Sequence, residues 1–403
     1  MTNTAPPIER RATRSQRLGI PPAAFLRDYW QKHPLLVRGA FPGFTSPISP
    51  DDLAGLSCEE GTLGRLIVHR ARGDRWQVHS GPFPEDIFAS LPERDWTLLV
   101  QDVDKWDPDV AALLQHFAFL PRWRIDDVMV SFAAPEGSVG AHVDQYDVFL
   151  IQGLGQRRWM IDAGPNPPQA FRKDVELKLL QHFTPTHDWV LEPGDMLYLP
   201  PGVPHHGVAL DACLTLSVGM RAPSRGELLV DLAETLAERL PETARYADPD
   251  LAPGASDGRI DAATLDRLRR ALEPVGQIDD ETLADWFGGF ITRYRSGGEI
   301  AAPPRALSAA QVESRLKRGA ALHLHPLARC AWRGRGVRAR LHVNGECFSA
   351  GGTLARRLCA REPVDATAWA TLGQEDRALV HALVKRGILA PSPPRSPAQE
   401  SPA

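Results

Sequence analysis

Ala141-His142-Val143-Asp144-Gln145-Tyr146-Asp147 is answered about sixty residues later by Gly194-Asp195-Met196-Leu197-Tyr198-Leu199-Pro200-Pro201-Gly202-Val203-Pro204-His205. In the first stretch, residues at i and i+2 of an extended chain share a face, so His142 and Asp144 are predicted to point to one side. Val143, Tyr146, Val148, Phe149, Leu150 and Ile151 make the run from His142 to Ile151 strand-prone. In the second, Gly194-Asp195 reads as a turn, Met196 to Leu199 as a short strand, and Pro-Pro-Gly as a bend that delivers His205.

With thirteen histidines in the chain, roughly one H-x-D is expected by chance, and either stretch alone fits structural histidines beside a surface Asp. The two in order, each in strand surroundings, favour a ligand set. Two imidazoles and one carboxylate on one face of an octahedral ion leave adjacent positions open for a bidentate 2-oxo acid and for dioxygen. His142, Asp144 and His205 are therefore the candidate metal ligands and the catalytic centre of an Fe(II) oxygenase. The second stretch has the form of a cupin motif, Gly-x5-Pro-x-Gly-x2-His, without its final asparagine, since Ala209 stands there. His206 competes as the distal ligand. Its side chain should leave on the opposite side of the chain, which makes it a neighbour of the site.

Beyond the Gln152-Gly153-Leu154-Gly155 turn, alternation puts Arg157, Trp159 and Ile161 on one face. Facing inward, Arg157 is a buried guanidinium fork matched to the distal carboxylate of 2-oxoglutarate; facing outward, Arg157 and Arg158 are hairpin charges. Ser131, Thr215 and Ser217 are short hydroxyl donors on flanking strands that could complete such a pocket, or plain strand residues. Glu136 and Asp147 are candidates to meet a substrate guanidinium at the mouth, or solvated loop charges.

The stretches Phe25 to Phe41, His142 to Trp159, Leu191 to Gly207 and Ser217 to Pro223 resemble the bacterial JmjC-type ribosomal oxygenases. The resemblance covers most of the chain up to about Arg295 and more loosely the rest. It implies Fe(II) on His142, Asp144 and His205, and 2-oxoglutarate as co-substrate, with dioxygen, on Ser131, Arg157 and Thr215. It also implies hydroxylation of an arginine in a large-subunit ribosomal protein. Family members carry an amide side chain where Thr215 stands. Eukaryotic relatives act on histidine, so a histidyl hydroxylase is the alternative within the class. Outside it, a non-catalytic cupin-fold regulator binding nucleic acid or protein, and a cupin metalloenzyme such as a zinc-dependent isomerase, remain open on the sequence.

Many short strands with Gly and Pro turns predict a mixed β and α chain built on a double-stranded β-helix, the jelly-roll barrel of JmjC and cupin domains. Its strands are expected at Leu35–Arg38, Trp76–His79, Trp96–Val103, Val128–Phe132, His142–Ile151, Arg157–Asp162, Met196–Leu199 and Leu214–Val218, after a helix at Ala23–Trp30. The catalytic domain is taken as 1–223. From 224 to 300 the leucines at 228, 229, 232, 236 and 240, and at 265, 268 and 272, recur at helical spacing. The resemblance makes this region a homodimer interface. A linker at Ala301–Ala306 leads to a winged-helix-like module, 301–389, with a helix at Ala309–Lys317, strands at Ala321–Trp332 and Val337–Val343, and helices at Thr353–Ala360 and Gln374–Arg386. The tail from 390 to 403 is expected to be disordered.

At 403 residues, 43% hydrophobic and 24% charged, the chain has the composition of an ordinary globular protein. No apolar run approaches a membrane span, and the N-terminus lacks the apolar core of a secretion signal. The five scattered cysteines contain no C-x-x-C, which argues against a disulfide framework or zinc knuckle and for a reducing cytoplasm. The net charge of -4 is unevenly placed: from Ala301 onward 16 Lys+Arg face 7 Asp+Glu, a surplus of +9 against -13 elsewhere. A basic module suits a nucleic-acid-rich partner, so nucleic acid is expected only indirectly, through that module.

Overall fold

In a computed structural model, the described residues are 6–70, 74–249, 260, 262–272, 278–293, 300–334 and 338–391. The chain divides into two compact units, 1–222 with 295–299 and 223–294 with 300–403.

The first unit is a double-stranded β-helix. Its strands are β1 (Glu9–Arg11), β2 (Leu35–Arg38), β3 (Leu63–Arg70), β4 (Arg75–Ser80), β5 (Trp96–Gln101), β6 (Ile125–Ala133), β7 (Val148–Leu154), β8 (Arg157–Ile161), β9 (His187–Leu191), β10 (Met196–Leu199), β11 (His205–Ala209) and β12 (Cys213–Met220). Nine of them form one sheet in the order β1-β2-β10-β7-β12-β6-β5-β3-β4, and β11-β8-β9 form a second. Every residue of β12 is buried, as expected of a central strand covered on both faces. An aromatic cluster fills one side of the large sheet: Phe149 lies 4.8 Å from Tyr198 and 4.9 Å from Phe117, ring centre to ring centre, with Phe25 against Phe149 and Tyr198.

Most expected strands are present with shifted ends, and the differences have local causes. Trp96–Val103 stops at Gln101 because Asp102 takes a left-handed turn (φ 58°) into a helix from Val103 to Trp106. The predicted strand from His142 begins only at Val148; His142 instead makes an isolated bridge to His205. The N-terminal helix is Pro22–Asp28. β1, β3, β9 and β11 were not expected.

In the second unit, helices span Arg225–Ala237, Ala262–Ala271 and Asp280–Thr292. Ser224 and Glu227 close a reciprocal capping box on the first. The first and third are joined by Asp231, which accepts from Trp286 Nε1 at 2.8 Å and Arg293 Nη2 at 2.6 Å. The C-terminal part holds β13 (Leu322–Leu324), β14 (Cys330–Arg333), β15 (Arg338–Val343), β16 (Glu346–Gly351) and β17 (Leu389–Pro391), with helices Ala309–Lys317, Gly352–Cys359, Ala366–Thr371 and Gln374–Lys385. β14-β15-β16 and β13-β17 are its two small sheets. The predicted strand over Ala321–Trp332 is thus two short ones. The tail expected to be disordered lies, from 392 on, outside the described residues.

Phe149 is fully buried within the aromatic cluster. Phe149→Ala is expected to lower stability by about 3–5 kcal/mol, read from the denaturant midpoint of the transition followed by tryptophan fluorescence.

Candidate functional site

His142, Asp144 and His205 offer ligand atoms that all lie within 4.8 Å of one another. Asp144 Oδ2 is 3.9 Å from His142 Nε2 and 3.6 Å from His205 Nε2. A regular strand does not hold them. His142 and His205 exchange two backbone hydrogen bonds, at 3.0 and 2.9 Å, and Gly202 N–H donates to the Asp144 carbonyl at 2.8 Å. The Pro-Pro-Gly bend, with Gly202 at φ 82°, therefore positions the carboxylate loop as well as delivering His205.

Each imidazole Nδ1 faces a backbone carbonyl, Gly140 for His142 and Val203 for His205, both at 3.0 Å. That contact places the proton on Nδ1 and leaves both Nε2 lone pairs for a cation. Burial pushes His205 down to about 4, with the neighbouring His142 adding to the effect, so its ring stays neutral, as a ligand must be. The donor set of two neutral imidazoles and a carboxylate fits Fe(II).

The three candidate ligands open into a cavity of about 540 Å³ inside the barrel, large enough for a small co-substrate and one side chain. Arg157 lines it and is 2% exposed, while Arg158 points outward to Asp188. The Arg157 Nη2 donates to Gly207 O at 3.2 Å, and the Cys213 thiol lies beside the guanidinium. Its Nε and Nη1 have no hydrogen-bond partner, and neither has Trp159 Nε1, on the same wall. Buried donors without acceptors cost about 1–3 kcal/mol each, more when charged. Their concentration in one cavity marks a place for an acceptor-only ligand, and a carboxylate suits a guanidinium fork. Gly207 is required here, since a Cβ would sit 2.6 Å from Arg157 Nε and 2.8 Å from the Trp159 ring.

Ser131, Thr215 and Ser217 are buried on the same cavity wall, Ser131 directly across from Thr215 in the β6–β12 ladder. Thr215 donates its hydroxyl proton to Gln152 Oε1 at 3.2 Å, while the Gln152 amide is tied to Leu154 and Gly155 carbonyls. Thr215 is in place but its donor is engaged. His206 lies outside the ligand trio, bonded to Ser138 Oγ at 3.0 Å and edge-on to Phe183, and burial lowers it to about 4.

Glu136 and Asp147 do not serve as mouth carboxylates. Asp147 is fully buried, accepting from Tyr198 Oη at 2.7 Å, Gln31 Nε2 at 2.9 Å and Arg124 Nη2 at 3.1 Å. Glu136, in a left-handed turn at φ 64°, pairs with exposed Arg94 and is not part of the cavity wall. Besides Asp144, the acidic side chains that line the cavity are Asp126 and Asp127 on β6 and Glu176 on the loop before β9. Burial, with Asp102 close by, pushes Asp127 up to about 7. Gly219 stands opposite it in the ladder and leaves it room. Sequence reasoning passed over Asp127, though its spacing from Ser131, i and i+4 on one strand, placed both on one face. The Tyr146 phenol, treated before as a strand former, lines the cavity and interacts with Asp144.

In comparisons with known proteins, residues 112–228 match the JmjC domain and 274–390 the ROXA-like winged helix. The chain is 41% identical over 299 residues, 74% of this chain and 78% of the relative, to the ribosomal protein uL16 3-hydroxylase of Escherichia coli (strain K12). It is 36% identical over 265 residues, 66% of this chain and 62% of the relative, to a probable ribosomal oxygenase of Haemophilus influenzae. The crystal structure of E. coli YcfD superposes with a TM-score of 0.82 at 36% identity, over 93% of this chain and 99% of that one. YcfD, a ribosomal oxygenase, in complex with cobalt and 2-oxoglutarate gives 0.79 at 35% identity with the same coverage.

Breaking a buried ion pair by removing one partner costs about 3–5 kcal/mol. Asp147→Ala is therefore expected to lower the first unit's unfolding midpoint strongly through Arg124, Gln31 and Tyr198, and to leave Co(II) affinity of the folded fraction unchanged. Differential scanning fluorimetry and metal titration check the two parts.

Proposed function

The chain belongs to the JmjC-type ribosomal oxygenases, and we propose that it is an Fe(II)- and 2-oxoglutarate-dependent dioxygenase that hydroxylates an arginine side chain of a large-subunit ribosomal protein. His142, Asp144 and His205 hold the iron; Ser131 and Arg157 hold the distal carboxylate of 2-oxoglutarate, with Thr215 bracing that pocket. The bound iron, with dioxygen, supplies the oxidising power that turns 2-oxoglutarate into succinate and carbon dioxide and a C–H bond of the target into C–OH. The protein's part is positioning: the Nδ1 contacts to Gly140 and Val203 hold both imidazoles in the ligating tautomer, and Arg157 fixes the co-substrate at one end. The barrel keeps bulk water from the reacting carbon.

The observation that carries this reading is the pairing, in one cavity, of a two-histidine, one-carboxylate trio with a buried guanidinium whose Nε and Nη1 lack acceptors. Arginine is favoured over histidine as the target by Asp127, a half-buried carboxyl on the cavity wall that desolvation and the neighbouring Asp102 push up to about 7. A guanidinium entering the cavity would supply an opposite charge. The uL16 hydroxylase of E. coli is the relative that names a ribosomal target, and a large-subunit protein is the reading carried over from it. Histidyl hydroxylation, the activity named for a 24% identical relative from Aedes aegypti, lacks that support.

We further propose a homodimer through the helices of the second unit, where Leu229, Val230 and Leu272 are more than half exposed. The basic module is read as a protein-contact element, with nucleic acid met only indirectly. Arg333 and Arg340 are engaged by Asp285 and Arg386 by Glu346, and Arg361 donates to the carbonyls of Ala328 and His325. A cytoplasmic location accords with five cysteines that form no disulfide, and no helix among the described residues is long and apolar enough to cross a membrane.

The test is Fe(II) enzyme reconstituted anaerobically, then given 2-oxoglutarate, air and peptides of large-subunit ribosomal proteins. Succinate formed in step with an arginine peptide gaining one oxygen is expected; succinate with oxygen on a histidine peptide would move the target, and no 2-oxoglutarate binding would remove the oxygenase reading. His142→Ala and Asp144→Ala are expected to abolish turnover with the fold retained. Arg157→Ala should instead raise the 2-oxoglutarate requirement by about tenfold or more, from loss of a charged hydrogen bond.

A further inference from the structure

We propose that Thr97, which neither the metal trio nor the Arg157 pocket includes so far, is a co-substrate-positioning residue whose hydroxyl donates to the distal carboxylate of 2-oxoglutarate. The inference rests on the co-substrate reading above and adds to it a donor at the far side of the same pocket.

Thr97 lies on β5, is fully buried, lines the cavity, and its Oγ1 has no hydrogen-bond partner. A buried hydroxyl normally finds a backbone or side-chain acceptor, so an orphan is an exception that calls for one. It shares this condition with Arg157 Nε and Nη1 and with Trp159 Nε1 on β8, which line the same cavity from the other sheet. Four orphaned donor atoms around one cavity call for a ligand rich in acceptors.

The ladder registers give the placement. Across the sheet, Cys213 pairs with Ala133 and Ala133 with Thr97, one step from the neighbouring row in which Thr215 pairs with Ser131 and Ser131 with Leu99. Cys213 is the residue beside the Arg157 guanidinium. Between Cys213 and Thr97 the row holds only the methyl group of Ala133, a short side chain packed with Cys213 and Ala209. Thr97 and Ser131 are thus diagonal neighbours on one face, within reach of a common group. Thr215, the hydroxyl that the family resemblance brings to the carboxylate, already gives its proton to Gln152. A carboxylate only accepts, so Thr215 as placed contributes no donor, and Thr97 has one to give.

The test is calorimetric titration of Mn(II)-loaded full-length protein, without dioxygen, using 2-oxoglutarate and, in parallel, 2-oxobutyrate, which keeps the chelating end but lacks the distal carboxylate. Thr97→Val, which keeps the shape and removes the hydroxyl, is expected to weaken 2-oxoglutarate about tenfold, as for one hydrogen bond to a charged group, and to leave 2-oxobutyrate unchanged. Thr97→Ser is expected to keep wild-type affinity for both and guards against a valine variant that fails to fold. Equal loss for the two acids, unchanged 2-oxoglutarate affinity in Thr97→Val, or a Thr97→Ser variant with tenfold weaker 2-oxoglutarate binding would each overturn the assignment. Failure of the wild-type protein to bind 2-oxoglutarate would overturn the co-substrate reading, and this assignment with it.

Discussion

Two backbone hydrogen bonds, His142 N–H to His205 C=O and His205 N–H to His142 C=O, tie the loop before β7 to the start of β11. One belongs to the large sheet's approach and the other to the small sheet, so this bridge closes the two sheets of the barrel on each other at the ligand site. It also fixes the separation of two imidazoles to a 4.2 Å ring-centre distance. Gly202 then reaches the carbonyl of Asp144, and the Nδ1 contacts set the rings. A cation-binding geometry is thus written into main-chain hydrogen bonds, with the side chains following from it.

Much of this was legible in the sequence because the second stretch carries its own conformational grammar. Gly194 and Gly202 have left-handed backbone, and Gly194 admits no Cβ, which would meet Phe41 O at 2.3 Å. Such positions announce themselves as glycine beside proline. The inward face of β8 was legible for a similar reason, since alternation makes Arg157 buried and Arg158 exposed. The trio's carrier was not: a strand-prone composition over His142–Ile151 suggested a ladder that starts only at Val148, because the backbone of His142 is spent on a single bridge.

What escaped the sequence depends on partners distant along the chain. Asp147 looks like a loop charge until Gln31, Arg124 and Tyr198 converge on it. Asp127 and Thr97 look like strand residues until eight strands curve their inner faces into one cavity. In the C-terminal part, a charge surplus is visible by counting, whereas its internal use, with Asp285 holding Arg333 and Arg340, is not. Composition gives the sum of the charges and says nothing of their pairing.

The barrel has a depth gradient: Arg157 and Thr97 are wholly enclosed, while His142 and Asp144 remain about a quarter exposed. On the proposed reading, a vessel with its anchor at the bottom and its reacting centre nearer the rim imposes a queue. The small dicarboxylate would enter ahead of the protein target, which would then stopper the opening, and the spent four-carbon acid would leave after the modified chain withdraws. Kinetic order, and with it sensitivity to product accumulation, is thereby a property of the barrel's shape.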